Sequence, residues 1–117
     1  MALLSLKAFD RLVLALPGVT VSEQWEAHVA KVGGKVFALI GETGTPIVFK
    51  VSELSFDGLT SLHGIEQAAY FAKRSWVSVA KGSELPDADI KAYVAEAHRL
   101  IAGKLTRKLR AELGIVI

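Results

Sequence analysis

The chain has 117 residues, of which 51% are hydrophobic, and its formal net charge is only +2. This length fits one domain, residues 1–117, with a core that folds without covalent staples, and the composition argues against a disordered chain. Because the sequence has no cysteine, a disulfide framework, a thiol nucleophile and a thiolate zinc site are excluded.

Neither a membrane span nor an export signal is predicted. The sequence has no run of about 18 apolar residues. Charged residues also follow the first apolar ones too closely for a signal peptide. The lack of cysteine suits a reducing compartment, so we expect a cytoplasmic protein.

The first predicted element is a helix that begins at Ser5, a good N-cap residue, and ends near Leu16. Pro17-Gly18 ends it, because proline does not continue a helix cheaply and glycine permits the turn. Its apolar side chains form one stripe, at Leu6, Phe9, Val13 and Leu16.

Strands are predicted next. Apolar and polar residues alternate over 19–23, and Trp25-Glu26-Ala27-His28 carries a second strand signal. Gly33-Gly34 predicts a two-residue hairpin turn, since glycine accepts the positive φ angles of such a turn. Two further strands are predicted at 35–40 and 46–51, with a loop between them.

The middle of the chain is less regular. Ser52 or Ser55 caps a short helix over 53–62, and residues 66–73 are predicted as a loop that leads to a strand at 76–80.

The clearest helix begins at Pro86, and its buried stripe consists of Ile90, Val94, Ala97 and Ile101. Beyond Gly103, Thr106 caps a last helical segment that ends at Leu113. This order of elements predicts one α+β domain, with an antiparallel sheet of four to five strands packed by N- and C-terminal helices.

Several short motifs occur together in a fixed order. They are Leu16-Pro17-Gly18-Val19, Trp25, Lys31-Val32-Gly33-Gly34-Lys35-Val36-Phe37, Lys50, Tyr70, Trp76-Val77, and Leu100 through Lys104-Leu105 to Arg110. In these motifs the chain resembles the MmcQ/YjbR family over nearly its whole length. The resemblance implies a CyaY-like (frataxin-like) fold and DNA binding through two hairpin wings. The chain departs from the family pattern at Glu26-Ala27 and at Ala97-His98.

Six basic residues are candidates for contacts with nucleic-acid phosphates: Lys31, Lys35, Lys73, Arg74, Arg107 and Lys108. Lys31 and Lys35 straddle the glycine turn, where a wing would place one cation on each side of a groove. Lys73 and Arg74 are expected to be free for a ligand. The other two belong to a segment without acidic residues, 104–110.

Each of these groups also has a structural explanation. Lysines beside a hairpin protect sheet edges and aid solubility, and the stems of Lys73 and Arg74 can cover aromatic rings. A basic C-terminal segment is favoured by the helix dipole, and its cations share one face if the helix continues through Gly103.

Aromatic residues supply the remaining candidates. Tyr70 and Trp76 lie among basic residues and are candidates for stacking on bases, which contributes about 1–3 kcal/mol per base. Trp76 is more readily explained as a core anchor, because its strand is otherwise largely apolar. Trp25, His28 and Tyr70 are candidates for a cleft, although His28 is more readily explained as a satisfied edge residue.

No enzyme, cofactor or metal site is predicted. The histidines are far apart in the sequence, and the single Asp10 of the first helix does not supply the carboxylate ridge that would bind iron. We predict a protein that binds DNA weakly and largely without sequence preference. The alternative is a module that binds a small ligand or a partner protein in a cleft near Trp25 and His28. The sequence does not distinguish a monomer from a homodimer.

Overall fold

The structure, a computed structural model, describes residues 5–116. This part of the chain contains the elements α1 (Leu6–Leu14), β1 (Val19–Gln24), β2 (Ala27–Val32), β3 (Lys35–Gly41), β4 (Ile47–Lys50), α2 (Glu53–Thr60), β5 (Ile65–Gln67), β6 (Trp76–Val79), α3 (Asp87–Ala102) and α4 (Arg107–Glu112). Within residues 5–116, no helix has both the length and the apolar character needed to cross a membrane.

The strands form one antiparallel sheet in the order β1-β2-β3-β4-β6-β5. The predicted α+β architecture is confirmed, with six strands in place of four to five. The strand that was missed is β5, which overlaps the segment predicted as a loop and pairs with β6 over only 3 residues. So short a segment shows no alternating pattern in a sequence.

The prediction of a strand through Trp25 and Glu26 is wrong. These residues form the turn between β1 and β2, where Gln24 pairs with Ala27. Both have a left-handed backbone, with φ angles of 54° and 57°, as a two-residue primed turn requires. No sequence signal marks this turn, because it lacks the usual glycine or asparagine and the residues on either side continue to alternate.

All four helices of the described chain pack on one face of the sheet, and the main core lies between the two layers. Its largest fully buried side chains come from both layers and include Phe9, Val13, Phe37, Ile40, Phe49, Ile90 and Val94. A bulge in β3, opposite Ala30 and Lys31, allows the adjacent residues Phe37 and Ala38 both to join this core.

The opposite side of the sheet, which we call the open face, has a smaller apolar cluster made of Ala27, Val29, Leu39, Val48, Ala68 and Trp76. Residues 68–75, which link β5 to β6, fold over part of this face. Phe71 in this link stacks on Trp76, with the ring centroids 4.4 Å apart. The expectation that Trp76 is a core anchor is confirmed, since only 8% of it is exposed.

The N-cap residues predicted from the sequence for α1, α2 and α4 are confirmed in the structure. The side-chain oxygens of Ser5, Ser52 and Thr106 each accept a hydrogen bond from a backbone N–H three residues later, so Ser52 is the cap of α2. In α3, the buried His98 donates from Nε2 to the carbonyl oxygen of Pro17, at 2.9 Å. This hydrogen bond ties the turn after α1 to α3.

Replacing Trp25-Glu26 by Asn-Gly is predicted to stabilise the fold. Asn and Gly adopt positive φ angles at less cost than Trp and Glu, and Trp25 packs little because 69% of it is exposed. We expect the free energy of unfolding, measured in urea, to rise by about 1 kcal/mol. Glu26→Gly alone should give a smaller rise, and a loss of stability in both variants would contradict this description of the turn.

Candidate functional site

The first candidate surface is one end of the sheet, where cations from separate segments of the chain meet. The turn between β2 and β3 lies against the link between α3 and α4, because a Cβ atom at Gly33 would be only 2.7 Å from Leu105 Cδ1. β4 ends and β6 begins at the same end, since Lys50 pairs with Trp76. We call this surface the basic end. The cations on the segments that meet there or adjoin it are Lys31, Lys35, Lys50, Lys73, Lys104, Arg107 and Lys108, and Lys50 and Lys104 lie next to each other.

Lys50 and Lys104 are close neighbours in this group. Burial lowers the pKa of Lys50, and the neighbouring ammonium group of Lys104 lowers it further. Like charges held together in this way oppose folding unless an anion compensates them. The six residues predicted from sequence to contact phosphates include neither lysine, although Lys104 begins the basic segment 104–110 that the sequence indicated. Lys50 was detectable from strand direction, because a strand paired antiparallel to β3 must end beside the β2–β3 turn.

The cations of the basic end have no carboxylate partner in the part of the chain that the structure describes. The ion pairs within residues 5–116 involve only the basic residues His28, Arg74 and Arg99, none of which belongs to the basic end. The charges of the basic end are therefore available to an external anion.

The helix dipole does not explain the C-terminal cations. The helix does not continue through Gly103, and α4 begins at Arg107, so Arg107 and Lys108 lie in the first turn of α4. That turn has no acidic residue, and cations are unfavourable at the positive end of a helix dipole. Both side chains are exposed, which leaves them accessible to an anion.

Arg74 is not free for a ligand, contrary to the prediction. Its guanidinium donates to Asp57 at 2.9 Å, and its Nε atom lies 3.6 Å from Glu53. The hydrogen bond from Arg74 lowers the pKa of Asp57 and raises that of the guanidinium in return. The same group lies over the ring of Phe56, at 5.4 Å. Arg74 therefore fixes the 68–75 link to α2.

Arg110 is also engaged within the protein. Its Nη1 atom donates to the carbonyl oxygens of Leu105 and Gly103, at 2.8 and 3.4 Å. These carbonyls belong to the link that carries Lys104, so Arg110 orders the chain beside the basic end and is not one of its accessible cations.

The second candidate surface is a groove of about 660 Å³ on the open face. We call it the aromatic groove, and its lining residues are Trp25, Ala27, Leu39, Pro46, Val48, Ala69, Tyr70, Phe71 and Ser78. The strands β2, β3, β4 and β6 supply the floor. The β1–β2 turn and the β3–β4 loop supply one wall, and the 68–75 link supplies the other. The aromatic groove on the open face and the basic end are therefore separate surfaces of the sheet.

The rim of the aromatic groove is acidic. A neighbouring depression that shares part of its lining is bordered by Glu26 and Glu42, whose backbones are joined by a hydrogen bond of 3.1 Å from the Glu42 N–H to the Glu26 carbonyl oxygen. Glu66 pairs across strands with Ser78 of the groove floor. All three carboxylates belong to exposed residues.

His28 is not part of the groove, so the predicted cleft of Trp25, His28 and Tyr70 is only partly correct. His28 points to the helical side of the sheet, where its Nδ1 atom lies 3.0 Å from both carboxylate oxygens of Asp10. Side chains alternate along β2, so Ala27 faces the groove and His28 faces α1. The explanation of His28 as a satisfied residue agrees with this contact.

Trp25 and Tyr70 do line the same groove, and both are strongly exposed, at 69% and 104%. Tyr70, like Trp25, has a left-handed backbone, with φ at 70°. A bulky aromatic residue rarely adopts this conformation, which costs on the order of 1–3 kcal/mol. Trp76, by contrast, lies beneath Phe71 and is not available to stack on a base.

Metal-ligating side chains do not cluster in the described region. Over residues 5–116, no group of three or more His, Asp or Glu side chains is arranged to hold an ion. His28 and Asp10 form a pair, and His98 is committed to the Pro17 carbonyl.

These features define a small α+β domain whose antiparallel sheet is covered by helices on one face only. The YjbR family model matches residues 14–100, and the chain belongs to the YjbR family, as the sequence motifs indicated. A crystal structure of a Deinococcus radiodurans protein with the family-model domain DUF419 is similar, with a TM-score of 0.87 and 22% identity, and the match covers 97% of this chain and 91% of that one.

A Pseudomonas syringae protein structure is also similar, with a TM-score of 0.59 and 19% identity, over 70% of this chain and 86% of that one. At these identities both structures show the shared fold alone. The search of curated proteins found no match.

Phe71→Ala is predicted to uncover Trp76. The variant removes the ring stacked on the indole, and we expect a loss of about 2 kcal/mol in the free energy of unfolding. Acrylamide should then quench the fluorescence of both tryptophans, where in the parent only the exposed Trp25 is accessible. Tyr70→Gly is the control, because this side chain covers nothing. A Trp76 that stays protected in Phe71→Ala would contradict the stacking.

Lys50→Met is predicted to stabilise the domain near neutral pH. The folded-state pKa of Lys50 is lowered, so the unfolded chain binds more protons between that value and the ordinary value of 10.5. The cost of the charged form is therefore fully present below the folded pKa and is relieved as pH rises. We expect a gain of about 0.5 kcal/mol in the free energy of unfolding at pH about 7, after allowance for solvent screening, and a smaller gain at alkaline pH.

The measurement is urea unfolding of Lys50→Met beside the control Lys91→Met, at an exposed position of α3. A gain that is equal in the two variants, or that grows with pH, would show that neither the burial of Lys50 nor its proximity to Lys104 is the cause.

Proposed function

We propose that this domain binds the phosphate backbone of nucleic acids through its basic end, weakly and with little sequence preference. The supporting observation is the concentration there of cations from the β2–β3 turn, the end of β4, the 68–75 link and the α3–α4 region. Lys50 and Lys104 give the strongest support, because the repulsion between their ammonium groups opposes folding and a bound phosphate would offset that repulsion.

The chemistry of these residues favours a phosphate backbone over base edges. Six of the seven are lysines, which act as mobile point charges and do not form the planar, bidentate contacts by which arginine reads guanine. An interaction of this kind depends on the release of counterions, so it has low affinity and responds steeply to salt. The proposed role is that of a binding protein and not an enzyme, acting in the cytoplasm.

The test is a titration of the protein into fluorescently labelled single-stranded and double-stranded DNA of two unrelated sequences, at low ionic strength. We expect dissociation constants of about 10⁻⁴ to 10⁻⁶ M at physiological salt and tighter binding at low ionic strength. The two sequences should give similar values, and log K should fall linearly with log salt concentration. Lys104→Gln should weaken binding to all the DNAs alike and reduce the salt slope by about 1.

Arg74→Gln is the matched control. It lowers the net charge by the same amount, but it removes a cation that Asp57 and Glu53 already neutralise. Affinity should therefore change much less than in Lys104→Gln. Equal losses in the two variants would show that only net charge matters, and an absence of binding at low salt would exclude the proposal.

A further inference from the structure

We infer that the aromatic groove is a second, separate binding site, and that its ligand is a small organic cation with an apolar or aromatic body, such as a quaternary or tertiary ammonium compound. The inference does not depend on nucleic-acid binding, because the groove and the basic end share no residue. Three properties support it: the size of the groove, the chemistry of its lining, and the charge of its rim.

The size suits a small molecule. A volume of about 660 Å³ is within the range of about 300–1,000 Å³ typical of ligand pockets. The floor residues Ala27, Leu39 and Val48 project from the middle of the sheet, where strand pairing already uses the backbone groups. A peptide laid here would find few partners for its own N–H and C=O groups, which must be paired when buried. The lining therefore favours an apolar ligand over a polypeptide.

The walls offer aromatic rings that the fold itself does not cover. Trp25 and Tyr70 stand on walls formed by different segments and expose most of their surfaces. An aromatic face attracts a cation through its quadrupole, by about 0.5–1 kcal/mol when exposed and by about 2 kcal/mol when water is excluded. Both residues hold their positions at the cost of a left-handed backbone, and such strain is commonly found where a ligand binds.

The negative charge at the rim of the groove favours a positively charged ligand. Glu26 and Glu42 border the depression that continues the groove, and Glu66 lies beside Ser78 of its floor. In the described chain these carboxylates form no ion pair, and neither the groove nor the adjoining depression is lined by Lys, Arg or His. An anion would be repelled here, and a neutral apolar molecule would leave the charges unused. A cation with an apolar body complements both parts.

The test is a titration of the ¹⁵N-labelled protein with benzyltrimethylammonium, followed by NMR. The neutral, water-soluble analogue benzyl alcohol keeps the aromatic body without the charge, and phenylacetate carries the opposite charge. We expect the cation to shift the backbone amides of residues 25–27, 41–45 and 69–71, with saturation in the millimolar range or below, and to bind at least about fivefold more tightly than either analogue.

Two sets of variants locate the site. Trp25→Gly removes a ring at a position whose positive φ angle glycine adopts freely, and it should weaken cation binding about tenfold. The double variant E26Q/E42Q should weaken binding about threefold, whereas E96Q/E112Q, which changes the net charge equally at exposed positions of α3 and α4, should leave it unchanged. Because E26Q/E42Q alters only exposed side chains, it tests the site even if Trp25→Gly perturbs the turn.

The inference is wrong if the cation gives no saturable shifts, if the neutral or anionic analogue binds equally well, or if the two double variants behave alike. None of these results bears on DNA binding, which the groove variants should leave intact. Lys104→Gln, which should weaken DNA binding, should likewise leave cation binding intact. The two proposals can therefore be tested and rejected independently.

Discussion

The antiparallel pairing of neighbouring strands brings together the residues of both candidate surfaces. Each reversal sends the next turn to the other end of the sheet, so the β2–β3 turn, the last residue of β4 and the first of β6 meet at one end. The Trp25-Glu26 turn and the loop that contains Glu42 meet at the other. Lysines that are remote in sequence are brought together in this way, and so are glutamates. Packing of α3 on the sheet then adds Lys104 to the lysines.

The sequence was sufficient to predict the parts of the fold that depend on periodicity and on caps. The stripes of α1 and α3, the Gly33-Gly34 turn and the cap at Thr106 all have local signals, and each was found in the structure. The turn at Trp25 and the strand β5 were not predictable in the same way. The turn uses residues that disfavour its backbone angles, and β5 is held by pairing with β6 and not by its own propensity.

The two candidate surfaces were predictable only in part, for a related reason. The hairpin turn identified Lys31 and Lys35, and the basic segment 104–110 identified Arg107 and Lys108. The partners of a cation, however, depend on tertiary contacts. The segment 68–75 shows the difference: Arg74 is neutralised by two acids of α2, while its neighbour Lys73 forms no ion pair in the described chain. Trp25 and His28 are also close together in the sequence. The alternation of side chains along β2 nevertheless directs His28 to the side of the sheet opposite the groove that Trp25 lines.

The separation of the two surfaces also places Glu26 and Glu42 at one end of the strands and Lys35, Lys50 and Lys104 at the other. In the field of a polyanion a molecule built in this way rotates before it makes contact, and it arrives with one preferred orientation. With the lysines at the polymer, the indole of Trp25 at the opposite end of the strands would stay exposed to solvent. A compound held there would be carried along the polymer without touching it.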